Sequence, residues 1–97
     1  MEKIEDMNLR KMLLELEEML QRVYGNKLKA VILYGSVARG TATEESDIDI
    51  MVLIDGTAQE LRAFEDQLSD VSTDISIKYF KVFSIIDISY QEYIAVL

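Results

Sequence analysis

The chain has 97 residues, 49% of them hydrophobic and 29% charged, with a formal net charge of −8. That length suits one small domain with a single core, and the composition argues against disorder. Cysteine and histidine are both missing, which excludes a disulfide framework, zinc sites and imidazole bases, while the acidic balance without a basic run argues against broad nucleic-acid binding. The acidity suits a basic partner or simple solubility. No apolar stretch approaches the ~18 residues of a membrane span, and the N-terminus lacks a signal-peptide pattern, so the default expectation is a cytoplasmic protein.

Leu9, Met12, Leu13, Leu16, Leu20 and Val23 recur at helical spacing with Glu15, Glu17, Glu18 and Arg22 on the other face, which predicts a packing helix over 3–24. Gly25-Asn26 ends it. Ala30-Val31-Ile32-Leu33-Tyr34 reads as a first strand, at 29–34, and is followed by a Gly35-Ser36 turn and a polar loop over 41–46. A second strand, at 47–54, stops at Asp55-Gly56. Thr57-Ala58-Gln59-Glu60 fits a capping box, and the stripe Leu61, Phe64, Leu68, Val71, Ile75 and Tyr79 runs the second helix on to 79. A third apolar strand is expected at 81–88. Ser89-Tyr90-Gln91-Glu92 then repeats the capping pattern and starts a last helix over 90–97. These elements make an α/β (α+β) domain, a small mixed sheet flanked by helices, with no proline, repeat or linker to divide it.

Chemistry concentrates between the first two strands. Ten residues separate Gly35-Ser36 from Asp47-Ile48-Asp49. On a strand, Asp47 and Asp49 project from one side with Cα atoms roughly 6–7 Å apart. Such a pair makes a poor core but a good seat for Mg²⁺, which takes one or two carboxylates and fills its shell with water and phosphate oxygens. Gly35 lets the backbone approach a ligand closely. Ser36, at the start of a helical turn, is placed to offer its N–H and hydroxyl to the outer phosphates of a nucleotide. Arg39 lies one turn on, in reach of a phosphate or a carboxylate. Glu44 and Glu45 read as solvated loop charges, Lys78 and Lys81 as cations at a helix end, and the tyrosines as packing, with Tyr34 beside the turn also able to touch a nucleotide.

Gly-Ser, ten residues and Asp-x-Asp, with the Ala38-Arg39-Gly40 and Ser46-Asp47-Ile48-Asp49 flanks, resembles the signature of the polymerase-beta-like nucleotidyltransferases. More narrowly it is similar to the minimal nucleotidyltransferases that act as antitoxins paired with HEPN proteins. The resemblance covers residues 28–89. It implies Mg²⁺-dependent transfer of a nucleoside monophosphate, AMP from ATP in the usual case, with pyrophosphate leaving. It also implies an acceptor tyrosine hydroxyl on a small helical HEPN partner. Apart from the resemblance, the expectation is no membrane role and either a homo- or a hetero-oligomer.

The family places a third Asp or Glu on the next core strand, and here the chain departs from the pattern. If strand three is 81–88, Ser84 takes that position and Asp87 falls on the opposite strand face. Asp74 competes only if Asp74-Ile75-Ser76-Ile77 is a strand; the longer helical stripe puts it on a solvated helix flank instead. Serine is neither an anionic ligand nor a base at neutral pH. Two readings therefore stand: an active enzyme, with Asp87 or Asp74 as the candidate third carboxylate, or a nucleotide- or partner-binding module with little or no transfer activity.

Overall fold

The computed structural model describes residues 2–35 and 47–96, with side chains from residue 8 onward. Helix α1 (Glu2–Tyr24) ends in a 3-10 turn at Gly25–Lys27. Gly25 adopts φ +58°, the left-handed setting that releases the chain from the helix. Strand β1 (Leu28–Tyr34) pairs antiparallel with β2 (Ile48–Ile54), and β2 pairs parallel with β3 (Phe83–Ser89), giving a mixed sheet in the order β1-β2-β3.

The second helix differs from the continuous 57–79 element that its stripe predicts. Helix α2 (Ala58–Leu61) tightens into a 3-10 turn at Arg62–Phe64 before α3 (Glu65–Tyr79) begins. Apolar residues at i, i+3 and i+4 keep their stripe through such a turn, so the pattern alone does not reveal it. The capping box at Thr57 forms as the sequence predicts: Glu60 N–H donates to Thr57 Oγ1 at 3.1 Å and Thr57 N–H to Glu60 Oε1 at 2.8 Å. Helix α4 (Tyr90–Ala95) starts on Ser89, whose hydroxyl accepts from Glu92 N–H.

One face of the sheet carries the core. Ile48, Ile50, Val52 and Ile54 of β2, all 0–3% exposed, pack with Met12, Leu16, Leu20 and Tyr24 of α1 and with Leu61, Leu68, Val71 and Ile75. Burial of each such side chain contributes about 1.5–3 kcal/mol. The edge of β3 is closed locally by α3. Ser72 Oγ donates to Phe83 C=O at 2.9 Å, and Phe83 N–H donates to Ser76 Oγ at 3.2 Å. Across the outer surface, Glu15 of α1 accepts from Lys78 Nζ at 2.5 Å and from the Tyr79 hydroxyl at 2.6 Å. The Lys78 ammonium, then Tyr79, holds the Glu15 carboxyl below its ordinary range.

Candidate functional site at the open face of the sheet

The alternation Asp47-Ile48-Asp49-Ile50 decides where the carboxylates go. Ile48 and Ile50 are drawn into the helix-covered core, so Asp47 and Asp49 must project from the other face. Asp47 is exposed and Asp49 half-buried. Both lie at the end of the sheet where β1 finishes and β2 and β3 begin.

Register supplies their neighbours. Tyr34 stands directly opposite Asp49 on β1, and Ser84 is its Cα partner on β3. Paired residues of adjacent strands share a face about 5 Å apart, so a phenol, a carboxylate and a serine hydroxyl form one row across the sheet. The strands are also tied at this end, where Ile48 N–H donates to Val82 C=O at 2.9 Å.

Gly35 follows Tyr34 with φ +77°, and two constraints there ask for glycine. The dihedral is left-handed, and a Cβ at this position would collide with the Asp49 carboxylate, its Cγ lying only 3.1 Å away. The bare Cα therefore leaves the carboxylate its room. Ser36 and Arg39, with Gly40, Glu44 and Glu45, lie outside the described residues.

Neither candidate for a third carboxylate stands beside this row. Asp87 pairs with Val52 on the core face, and there its Oδ2 accepts from the Tyr24 hydroxyl at 3.2 Å. Burial, followed by the Asp87 charge, pushes the Tyr24 hydroxyl well above its ordinary range. Asp74 is exposed on α3, because the helical stripe of Leu68, Val71 and Ile75 turns it to solvent. Ser84 occupies the neighbouring position instead. Among the described residues no group of three or more Asp, Glu, His or Cys side chains is placed to hold a metal.

Three features escaped the sequence reading. The Tyr24–Asp87 bond joins residues 63 apart, and its only trace is that Tyr24 extends the stripe of Leu16 and Leu20 by one turn. The serine pair on α3 is legible only as an i, i+4 spacing. Phe80, which closes α3, is left-handed at φ 53°, and no local pattern announces that in a bulky residue. Elsewhere, a groove of about 680 Å³ between α1 and β1 is lined by residues such as Lys11, Glu18, Gln21 and Lys29 and does not include either aspartate. No helix among the described residues is long and apolar enough to cross a membrane.

Comparison with known proteins identifies the family. The family described as "Nucleotidyltransferase domain" matches residues 9–96. Two proteins of Methanocaldococcus jannaschii are similar to the chain. The one named "Putative protein adenylyltransferase MJ0604" is 38% identical over 73 residues, which cover 75% of this chain and 66% of that protein. The one named "Putative protein adenylyltransferase MJ0128" is 44% identical over 57 residues, 54% of this chain and 58% of that protein. The chain thus spans less than two thirds of the length of these two relatives. No solved structure matches it at comparable significance. Because the family match runs through nearly the whole chain, this protein belongs to the nucleotidyltransferase domain family.

Proposed function

We propose that the open face binds a nucleoside triphosphate with Mg²⁺ and transfers its nucleoside monophosphate to a hydroxyl, releasing pyrophosphate. The observation that carries this reading is the Asp47–Asp49 pair on one strand face, with Gly35 wrapped against the Asp49 carboxylate. The donor set fits a hard cation: carboxylate oxygens, one of them exposed, beside a bare Cα that leaves space around the other. Asp47 and Asp49 would hold Mg²⁺, which when bound supplies positive charge to the phosphate oxygens and the leaving group. Ser36, and Arg39 after it, are assigned to the outer phosphates on the strength of their positions in the signature.

In the transfer, the acceptor oxygen bonds to the α-phosphorus as the bond to the β-phosphate oxygen breaks. The acceptor proton leaves to a carboxylate of the pair or to water. Ser84 cannot take it at neutral pH. The names of the relatives support a protein as acceptor. The likeness to minimal nucleotidyltransferases points further, to a tyrosine of a HEPN-type partner and to an antitoxin role in the cytoplasm.

One observation favours a second reading. Ser84, which the resemblance sets at the third-carboxylate position, pairs with Asp49 and offers a neutral hydroxyl, and that suits a module that binds the nucleotide with little or no turnover. Incubation with Mg²⁺, ATP labelled at the α-phosphate and the HEPN-type product of a neighbouring gene decides between them. Label on a tyrosine of that product, with pyrophosphate released, is the expected result. Tight Mg-ATP binding without label transfer would replace the enzyme reading by the binding module, and no binding at all would overturn both.

A further inference from the structure

Phe80 is the most anomalous residue of the described surface. It closes α3 in the left-handed conformation, φ 53° and ψ 41°, with its N–H donating to Ser76 C=O. Helices that end this way use glycine or asparagine, because a β-carbon there is strained. The phenyl ring is also 94% exposed and belongs to neither the core nor the shell packed against it. A bulky aromatic side chain thus bears both backbone strain and near-full hydration, without a place in the core among the described residues. Strain of that kind persists at ligand-contacting positions.

Two further exposed apolar residues lie close to it in the chain, interleaved with Lys78 and Lys81. Ile77, one helical turn back, is 66% exposed, and Val82, two residues on, is 61% exposed. The Val82 carbonyl accepts from the N–H of Ile48, the residue between the two aspartates. Adjacent strands lie about 4.8 Å apart and two residues reach at most about 7 Å, which puts the Phe80 Cα within about 12 Å of the Ile48 Cα. An extended nucleotide whose phosphates sit at Asp47 and Asp49 is long enough to pass round this end of the sheet toward Phe80.

We infer that Phe80 is the platform on which the base of the bound nucleotide stacks, with Ile77 and Val82 as its apolar rim. This rests on the nucleotide-binding reading above and adds to it the residue that recognises the base. One ring and two aliphatic side chains match a single aromatic ligand. A protein interface buries about 800 Å² on each partner, far more than this trio offers. Stacking on Phe80 also predicts tolerance between bases, since every base presents a π-face.

The test separates base from phosphates. Calorimetry compares Mg-ATP with Mg-tripolyphosphate, which lacks base and sugar, on the wild type and on Phe80→Gly. Glycine prefers the left-handed cap, so the variant keeps its fold and its melting temperature holds or rises. Phe80→Gly should weaken ATP binding about tenfold or more while leaving tripolyphosphate binding unchanged. Phe80→Trp should retain ATP affinity. As the only tryptophan in the chain, it should be quenched by ATP but not by tripolyphosphate. Equal ATP affinity in wild type and Phe80→Gly, or an unquenched tryptophan, would overturn the platform and leave the phosphate site standing. A wild type that binds neither compound would overturn the nucleotide reading itself.

Discussion

At its first residues the two faces of β2 differ by one residue in register and sharply in chemistry. Ile48, Ile50, Val52 and Ile54 look toward the helices and are almost wholly buried, whereas Asp47 and Asp49 look away from them beside Tyr34 and Ser84. A single strand therefore anchors the core and presents the carboxylates, and its period of two keeps the jobs apart. Substitutions on the core face should lower stability through lost packing. Those at Asp47 and Asp49 should change ligand binding with little effect on folding, whereas Leu53, further along the same face, is itself buried.

Ile50→Ala should break the core face most severely. The side chain is fully buried at the middle of the core, so the cavity should cost about 2–5 kcal/mol in denaturant unfolding. Mg-ATP binding by the fraction that remains folded should stay near wild type. Selective loss of binding at unchanged stability would mean that the faces are not separable.

Gly35→Ala tests the seam between them. The left-handed φ alone should cost about 1–2 kcal/mol. The added Cβ must also displace the Asp49 carboxylate, so Mg-dependent ATP binding should fall more steeply than stability does. A variant that binds normally would show that the carboxylate's place against Gly35 is not needed.

Tyr24→Phe probes Asp87, a carboxylate turned toward the core. Losing the hydrogen bond to Asp87 should cost about 1 kcal/mol at neutral pH. The Tyr24 hydroxyl is held above its ordinary range by burial and by Asp87. Between the unfolded value of about 10 and the higher folded value, the unfolded chain binds fewer protons, so stability falls as pH rises. Wild type should therefore weaken above about pH 10, and Tyr24→Phe should lose that part of the alkaline slope. Identical slopes in unfolding titrations would exclude the bond as its source.

The smallest effects on stability belong to Asp74→Ala and Ser84→Asp. Asp74 is exposed on α3, and its loss should change stability and transfer by no more than about 0.5 kcal/mol. Ser84→Asp sets a carboxylate beside Asp49 and should raise transfer to a protein acceptor, because a base beside the reacting hydroxyl is worth about 10²-fold or more. A paired rate assay decides: abolition by Asp74→Ala with no response to Ser84→Asp would overturn the assignment of both positions.

Much of this arrangement was legible in the chain. Alternation of aspartate with isoleucine foretold the shared face, and the apolar run through Ser84 foretold a third strand with a hydroxyl at the critical register. The 3-10 turn at Arg62–Phe64 was not legible, since Leu61, Phe64 and Leu68 keep a helical stripe through it. Nor was the partner of Asp87, because Tyr24 is distant in sequence and only the packing of α1 against the sheet brings them together. Gly35 read as a turn; that its bare Cα faces the Asp49 carboxylate is a tertiary fact. Phe80, just past the helix end expected at 79, carried no signal of its own, and its dihedral and exposure appear only in three dimensions.

The central claim is that the open face of β2 is a cation-dependent nucleotide site. Calorimetry of ATP with Mg²⁺ and with chelator, on the wild type and on the Asp47→Asn, Asp49→Asn double variant, tests it most directly. Neutral amides cannot replace anionic ligands for a hard cation. The account predicts Mg-dependent binding in the wild type and its loss in the double variant, with the melting temperature preserved. Equal Mg-ATP affinity in the two proteins would contradict it.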